Sequence, residues 1–410
     1  MNKVGAFAKK CECCRNVWNI DDSSINVCTP CLQDSKGYQG IDIENLDNTV
    51  DFKQDFYLWS NGGWLKRNPL SDHPEYPSWN TFTALFDLNL GRLRDILTEL
   101  QSSDKVCTAE DMKLADFYNS FIDEETIEIR KLEPILPYIK LAHGTSSTNL
   151  LETISKLHGE GICNPFFGLY PSPDKKNSDI TIPTIVQGGL GLPDRDYYFD
   201  ADKEDKRSYY LEFITAIFNY IGEDTDLYQD KEQNAKIAQA IFEYEKLLAA
   251  SHLTKTECRD PQLTYNLMSL KELNELTKPK IMSYAQYLAR GQPDDGLDYV
   301  KFFNLFGSYF DKSADEFGNV NVSQVEYMKK LSSQLSDASP VLSHYLVFHV
   351  VLNNCNHLTK KYVDLKWLLF ENRLSGTVEQ KPRWKRGLAV LESGMLFRII
   401  LLLLIIYTYY

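Results

Sequence analysis

Four cysteines near the amino terminus have the spacing of a metal site. Cys11 and Cys14 form one C-x2-C pair, Cys28 and Cys31 form a second, and 13 residues separate the two pairs. Two such pairs can present four thiolates to one tetrahedral zinc ion. The sequence therefore predicts a structural zinc site, with Cys13 as an alternative ligand. The competing interpretation is a disordered tail with reactive thiols.

A glycine-rich stretch, QGGLGLPDRDYYFD at 187–200, raises the question of phosphate binding. A phosphate loop needs backbone amides that converge at a strand-to-helix turn, with either G-x-G-x-x-G spacing or a following Gly-Lys-Ser/Thr. Here Pro193 has no amide N–H and no lysine follows the glycines. We therefore interpret the stretch as a turn between a hairpin and a helix, which Asp194 or Asp196 caps.

The elements that position these residues are predicted to be mostly helices. Apolar residues recur every three or four positions from Phe82 to Leu100, and a capping box links Ser269 to Glu272. A long helix is predicted from Pro340 to about Arg373. Only PFFGLYPSPDKKNSDITIPTIV is typical of β-structure, with a turn between two β-branched and aromatic runs. The predicted fold class is mainly α, a large helical domain with one small β-hairpin. Further helices are predicted in SSTNLLETISKLHGEG, RSYYLEFITAIFNYIG and NAKIAQAIFEYEKLLAAS.

Composition and charge narrow the class of protein. The chain has 410 residues, a formal net charge of −13 and 43% hydrophobic residues. An acidic chain without a basic stripe argues against nucleic-acid partners. The opening MNKVGAFAKKCECC turns polar at once, which predicts that no secretory leader is present. We expect an intracellular protein whose scattered cysteines are reduced.

Several stretches, in order along the chain, resemble one protein family. They occur in zinc metallopeptidases of the neprilysin and endothelin-converting-enzyme type, and the resemblance runs from about residue 50 to 394. It implies the amino-terminal, mainly helical region that forms a cap over the catalytic chamber and limits access to small peptides. The stretches are DFYLWSNGGWLKRNPL, SWNTFTALFDLNLGRLRDIL, FYNSFID, QGGLGLPDRDYYF, LTYNLMSLKEL and LSGTVEQKPRWKRGLAVLESG.

The catalytic chemistry of that family lies outside the resemblance. It requires His-Glu-x-x-His and a further glutamate downstream, because two histidines on one helix face bind the zinc. None of the seven histidines opens such a motif. His344 and His349 are five residues apart, which turns them to different sides of a helix, so we interpret both as residues near the core. No catalytic residue and no cofactor-binding residue is therefore assigned.

Three positions depart from the secreted and membrane-anchored members of the family. Those members carry cysteines before Gly-Gly-Trp, after the F-Y-x-S element and after R-W-K-R. This chain has Asn61, Phe121 and Gly387 at the corresponding positions. The resemblance thus implies a branch that folds without these disulfides, which agrees with the expected intracellular location.

The last residues differ in composition from the rest of the chain. Residues 399–406 are eight consecutive Ile and Leu, and only 12 residues follow Arg398. As a helix they would span roughly 18 Å, less than the ~30 Å of a hydrocarbon core. We interpret 395–410 as a truncation artefact from a misread gene end, such as a translated intron or a frameshift, with a short membrane-associating tail or a buried terminal element as the alternatives.

These observations predict three segments: a cysteine-rich tail at 1–40, the helical domain at 41–394 and the apolar tail at 395–410. The expected function is that of the cap of a zinc metalloendopeptidase that cleaves small peptides. Its partners would be a carboxy-terminal catalytic half and a peptide substrate. Without the catalytic half, the 410-residue chain is expected to be inactive. The alternative is a stand-alone helical peptide-binding or interaction module without catalytic activity. In one form of this alternative, the apolar tail at 395–410 anchors the module to a membrane.

Overall fold

The computed structural model describes residues 42–100, 108–146, 148–278, 297–337 and 339–392. Contacts divide the chain into two compact units, residues 1–73 and 74–410. The four cysteines of the predicted zinc site and the apolar tail 395–410 lie outside the described residues.

In the first unit, the described residues include one α-helix and two short 3₁₀ turns, Ile43–Asn45 and Leu70–Asp72. Helix α1 is Phe56–Arg67, and Asp55 caps it by accepting a hydrogen bond from the Leu58 amide. Asp47 accepts from Thr49 and pairs with Lys66 at 2.7 Å. The Lys66 ammonium lowers the pKa of the Asp47 carboxyl to about 2. This ion pair joins the turn to the helix.

The second unit is built mainly from helices, as the sequence predicts. The α-helices are α2 Thr81–Leu100, α3 Ala109–Ile122, α4 Glu124–Arg130, α5 Leu136–His143, α6 Leu150–Gly159, α7 Asp196–Phe199, α8 Glu204–Asp224, α9 Lys231–Ala249, α10 Pro261–Thr264, α11 Leu270–Thr277, α12 Tyr299–Gly307, α13 Val325–Asp337, α14 Ser339–Asn354, α15 Lys360–Trp367 and α16 at 383–392. Short 3₁₀ turns occur at Ile43–Asn45, Leu70–Asp72, Ala201–Lys203, Glu257–Arg259, Ser308–Phe310, Ala314–Phe317 and Cys355–His357.

Local side-chain chemistry explains where several helices begin. Ser269 caps α11 and Glu272 bonds back to the Ser269 amide, which confirms the predicted capping box. The same arrangement links Thr108 to Asp111 at the start of α3. Such boxes satisfy amides that have no partner inside the helix.

The prediction of one long helix from Pro340 to about Arg373 is wrong in one respect, because the helix is interrupted and the segment forms three helical elements. Helix α14 ends at Asn354, and Leu358 then adopts an extended backbone with ψ −173°. Helix α15 follows, and Leu368–Arg373 continues as a π-helix. An apolar period alone does not reveal such a break.

The predicted hairpin is present, but it is half of a larger sheet. Strand β1, Phe167–Pro173, pairs antiparallel with β2, Thr181–Gln187. Two further strands that the sequence did not reveal complete the order β1-β2-β4-β3: β3 is Leu267–Ser269 and β4 is Asn319–Val322. Strand β4 runs parallel to β2 and antiparallel to β3.

The main core of the second unit lies among helices α8, α9 and α14 and the sheet. It is rich in fully buried aromatic side chains, such as Tyr210, Phe213 and Tyr345. A smaller, separate cluster joins α2, α3 and α16 through Leu90, Leu97, Tyr118 and Leu388.

Candidate functional site

The glycine-rich stretch forms a loop between β2 and α7. Gly189 has φ +86°, a conformation that favours glycine, and a Cβ there would lie 2.7 Å from the Tyr345 hydroxyl. A Cβ on Gly191 would lie 1.8 Å from the Tyr210 hydroxyl. The two glycines are therefore required for close approach of the backbone to buried tyrosines.

Aromatic and histidine side chains hold the carbonyl groups of this loop. The Tyr327 hydroxyl lies 2.9 Å from the Gly188 carbonyl oxygen, and His252 Nε2 lies 3.0 Å from the same oxygen. The Tyr345 hydroxyl lies 2.9 Å from the Gly189 oxygen. The loop is thus fastened through its acceptors, which supports the interpretation as a structural turn.

The amides of the loop are also engaged with neighbouring side chains. The Leu192 amide donates to the Tyr198 hydroxyl at 3.2 Å, and the Asp196 amide donates to Asp194 Oδ1 at 2.8 Å. The N-cap position of α7 is Arg195, which makes no side-chain cap hydrogen bond, so the prediction that Asp194 or Asp196 caps this helix is wrong; Asp194 instead holds the turn that leads into it.

A fully buried carboxylate lies beneath the loop. Glu245 Oε2 accepts from the hydroxyls of Tyr198 at 2.8 Å and Tyr210 at 2.7 Å. Glu245 Oε1 lies 3.1 Å from Nε2 of His349, whose ring packs against Tyr345. Glu245 is 0% exposed, so these contacts satisfy a group that is costly to bury alone. The network connects helices α9, α8 and α14 to the loop.

The sequence predicted the place of both histidines in α14 but missed Glu245. His349 is buried, and His344 Nδ1 lies 3.1 Å from the Tyr228 hydroxyl, so both are helix residues near the core. Glu245 lies in the same period as the buried Ile241, Phe242 and Leu248. A carboxylate on that apolar face is the signal that could have found it.

A cavity of about 370 Å³ opens beside the loop. Its wall includes the backbone of the loop and the segment after α9, with His252, Lys255 and Cys258. Lys255 pairs with Asp194 at 2.6 Å. Arg195 and Arg259 also line the cavity, so its wall carries positive charge beyond the Lys255–Asp194 pair.

Two titratable groups of this cavity, His252 and Cys258, are held in their neutral forms. Burial lowers the pKa of His252 to about 4, so its imidazole is neutral near pH 7. Burial also raises the pKa of the Cys258 thiol, which contacts the side-chain amides of Gln187 and Gln324. Neither group has the activated partner that nucleophilic or acid–base catalysis requires.

The described residues supply no ligand set for a catalytic metal. Within those ranges, no group of three or more His, Cys, Asp or Glu side chains is placed to hold a metal ion. The predicted ligands Cys11, Cys14, Cys28 and Cys31 lie outside them. Over the same ranges, every helix is too short or too polar to cross a membrane.

Two of the positions where the family resemblance implied cysteines lie together. A Cβ on Gly387 would lie 3.0 Å from Cδ1 of Phe121. Phe121 is buried, and its ring occupies the space beside the glycine. An aromatic contact thus joins α3 to α16 at this point.

The chain matches known proteins over most of its length. Endothelin-converting enzyme 1 of Bos taurus is 26% identical over 366 residues, which cover 87% of this chain and 44% of that protein. Neprilysin of Homo sapiens is 27% identical over 368 residues, which cover 86% of this chain and 47% of that protein. The chain therefore spans about half the length of the curated relatives it matches.

Solved structures share the fold. The zinc metalloprotease Zmp1 of Mycobacterium tuberculosis, in complex with an inhibitor, matches with a TM-score of 0.74 and 22% identity over 87% of this chain and 50% of that chain. PepO from Lactobacillus rhamnosis HN001 matches with a TM-score of 0.64 and 17% identity, over 84% of this chain and 50% of that chain. Residues 52–399 match peptidase family M13. The chain belongs to peptidase family M13 and represents the amino-terminal, mainly helical region of that family.

Proposed function

We propose that this chain forms the cap half of a zinc metalloendopeptidase that cleaves small peptides. The family match over residues 52–399 carries the proposal. The likeness in fold to a zinc metalloprotease supports it, since that likeness covers 87% of this chain and 50% of the other. The fastened glycine loop and the network around Glu245 give the rigid scaffold that enclosing a substrate requires.

The role of this chain in the reaction is to shape the substrate chamber and to enclose the peptide. Its described residues do not fit a catalytic zinc ion, and its sequence has no His-Glu-x-x-His. No bond-breaking step is therefore assigned to these residues. We propose that the 410-residue chain alone is inactive, and that a carboxy-terminal catalytic half provides the zinc and the water that it activates.

The test is an assay of the protein from its natural source. Antibodies against residues 204–249 would recover it, and its mass and its cleavage of a small fluorogenic peptide would be measured with and without a chelator. We expect a mass about twice that of 410 residues and chelator-sensitive cleavage, while recombinant 1–410 cleaves nothing. An inactive protein of 410 residues from the natural source would instead favour the stand-alone peptide-binding module.

We also propose that Cys11, Cys14, Cys28 and Cys31 bind one structural zinc ion, and that the protein is intracellular. Four thiolates at this spacing support the first proposal. The purified full chain should retain one zinc per molecule under reducing conditions, and Cys14→Ser should remove it. Retention of zinc in Cys14→Ser with loss in Cys13→Ser would identify Cys13 as the ligand. Loss in neither variant would reject the site.

A further inference from the structure

Two arginines lie three residues apart at the amino end of α16, directly after Pro382. The side chain of Arg383 is 13% exposed, and Arg386 is half-buried. Arg383 Nε donates to the Phe121 carbonyl oxygen at 2.7 Å, and its guanidinium lies 4.8 Å from the centre of the Phe121 ring. Arg386 Nε donates to the Lys381 carbonyl oxygen at 3.1 Å. These contacts fix both guanidinium groups through one nitrogen each.

The remaining edges of the two guanidinium groups are incompletely satisfied. Arg383 Nη2 and Arg386 Nη1 are buried and have no hydrogen-bond partner among the described residues. Burial lowers the pKa of both arginines, and the charge of Arg383 lowers that of Arg386 further. Two partly desolvated cations that disfavour each other's charge are stabilised by a nearby anion.

A cavity of about 220 Å³ is lined by Arg383 and Arg386. Its wall also contains Lys360, Asp364 and Glu128. The Lys360 ammonium pairs with Asp364, and the Lys360 backbone amide donates to Glu128. Both carboxylates of this part of the wall are thus engaged with Lys360.

Glu124 is the carboxylate nearest to Arg383, with Oε1 at 3.5 Å from Nε. It is 59% exposed, and Arg383 Nη2 still lacks a hydrogen bond. An exposed carboxylate at that distance screens the charge of Arg383 without satisfying its buried donor.

We propose that this cavity binds a small oxyanion of the size of one phosphate group, held by the guanidinium groups of Arg383 and Arg386 in its wall. The planar guanidinium presents parallel N–H donors that match two oxygens of such an anion. The first backbone amides of α16 lie at the amino end of the helix, where the two arginines also lie. The helix dipole at that end favours a bound anion. The lining residues of this cavity do not include those of the glycine-rich loop.

The test measures anion binding to the folded full chain by isothermal titration calorimetry. The buffer contains chloride at constant ionic strength and no multivalent anion. Inorganic phosphate is the first probe, and glycerol phosphate is the second, which distinguishes a free anion from a phosphate group on a larger molecule. We expect saturable binding of inorganic phosphate at one site.

Three variants separate this site from general charge effects. Arg386→Gln should raise the Kd for phosphate roughly tenfold or more, because it removes a charged hydrogen bond. Glu128→Gln should lower the Kd severalfold, because it removes a negative charge from the wall. Arg373→Gln should leave the Kd unchanged, because Arg373 lies outside the cavity and pairs with Glu212.

Any of three results would overturn the proposal. Wild-type protein that binds no phosphate would do so, as would an equal loss of affinity in Arg386→Gln and Arg373→Gln. A Kd that does not fall in Glu128→Gln would also do so, and this variant keeps the proposal testable even when Arg386→Gln unfolds. Binding of both probes, with glycerol phosphate the tighter, would support the proposal and assign the site to a phosphate group on a larger molecule.

Discussion

Glu245 is buried with three donors around its carboxylate, and two of them also reach the glycine loop region. Tyr198 receives a hydrogen bond from Leu192 in that loop and passes one to Glu245. His349 contacts the other oxygen of Glu245. The position of the loop therefore depends on a carboxylate in α9, which the sequence places 45 residues after the end of the loop.

Removal of the Glu245 carboxylate should destabilise the protein strongly. Glu245→Ala leaves two tyrosine hydroxyls and one imidazole nitrogen without their partner, and we expect a loss of about 3–5 kcal/mol in the free energy of unfolding. Glu243→Ala on the same helix is the control, because Glu243 is exposed. Urea denaturation measures both. Equal, small losses would contradict the importance of the buried network.

The glycines of the loop give a second prediction. Gly191→Ala should cost about 1–3 kcal/mol, because its methyl group would overlap the Tyr210 hydroxyl. Gly91→Ala is the matched control, since nothing lies within 4 Å of a Cβ there and the residue is inside α2. That change should stabilise by about 0.5–1 kcal/mol through helix propensity. Thermal melts of the two variants should therefore shift in opposite directions.

Helix α2 shows what a periodic pattern predicts and what it leaves open. The pattern predicted the helix and its apolar face, and both are confirmed by Thr81–Leu100. Only part of that face is covered by the described residues, however: Leu90 and Leu97 are buried, whereas Phe82 is 85% exposed and Ile96 is 53% exposed. Period places residues on one face, but the neighbouring elements decide which of them are buried.

Adjacent residues of α2 should therefore respond differently to truncation. Leu97→Ala removes a buried side chain of the cluster with Tyr118 and Leu388, and we expect a loss of about 2–4 kcal/mol. Ile96→Ala should change the free energy of unfolding by less than about 0.5 kcal/mol. A large loss for Ile96→Ala in the full chain would show that something outside the described residues covers this face.

The strands and the broken helix show why the rest could not be predicted. Strands β3 and β4 have three and four residues, too few to establish an alternating pattern. Their pairing is tertiary: Asn321 of β4 lies opposite Thr184 of β2 on one side and opposite Leu267 of β3 on the other. The break at Leu358 likewise depends on tertiary packing, because the residue is buried in the main core.

At the scale of the whole molecule, the sequence motifs predicted the family. No single residue predicted where the cavities lie. The stretches from 55 to 394 carry the resemblance that the match over 52–399 confirms. The cavities are formed by segments far apart in sequence, such as 124–128 with 380–386. No local pattern encodes such a meeting, since it results from the packing of α4, α15 and α16.

Stability of the whole molecule should fall in acid partly through His158. This histidine is buried against Phe167 and Phe302, and burial lowers its pKa from 6.5 to about 3. The unfolded chain therefore binds a proton below pH 6.5 that the folded chain cannot. The free energy of unfolding therefore keeps the full contribution of neutral His158 above pH 6.5 and decreases as the pH falls toward 3. At pH 4 the loss is roughly 3 kcal/mol.

The measurement compares wild type with His158→Leu by denaturation between pH 7 and pH 4. The variant should lose less stability than wild type over this interval, because its leucine takes up no proton in either state. Other acidic groups titrate equally in both proteins and cancel in the difference. Parallel curves would show that His158 does not contribute to the pH dependence.

The order of strands in the sheet has a consequence for synthesis on the ribosome. Strand β2 cannot pair with β4 until β4 has been synthesised. The Gln187 amide donates to the side chain of Gln324, which lies 137 residues further along the chain. At about 5–20 residues per second, translation of that interval takes on the order of 10–30 s. Throughout this time one edge of the nascent hairpin has no partner strand. Because an unpaired strand edge can pair with another chain, we expect the nascent hairpin to be prone to intermolecular strand pairing until residue 322 has emerged.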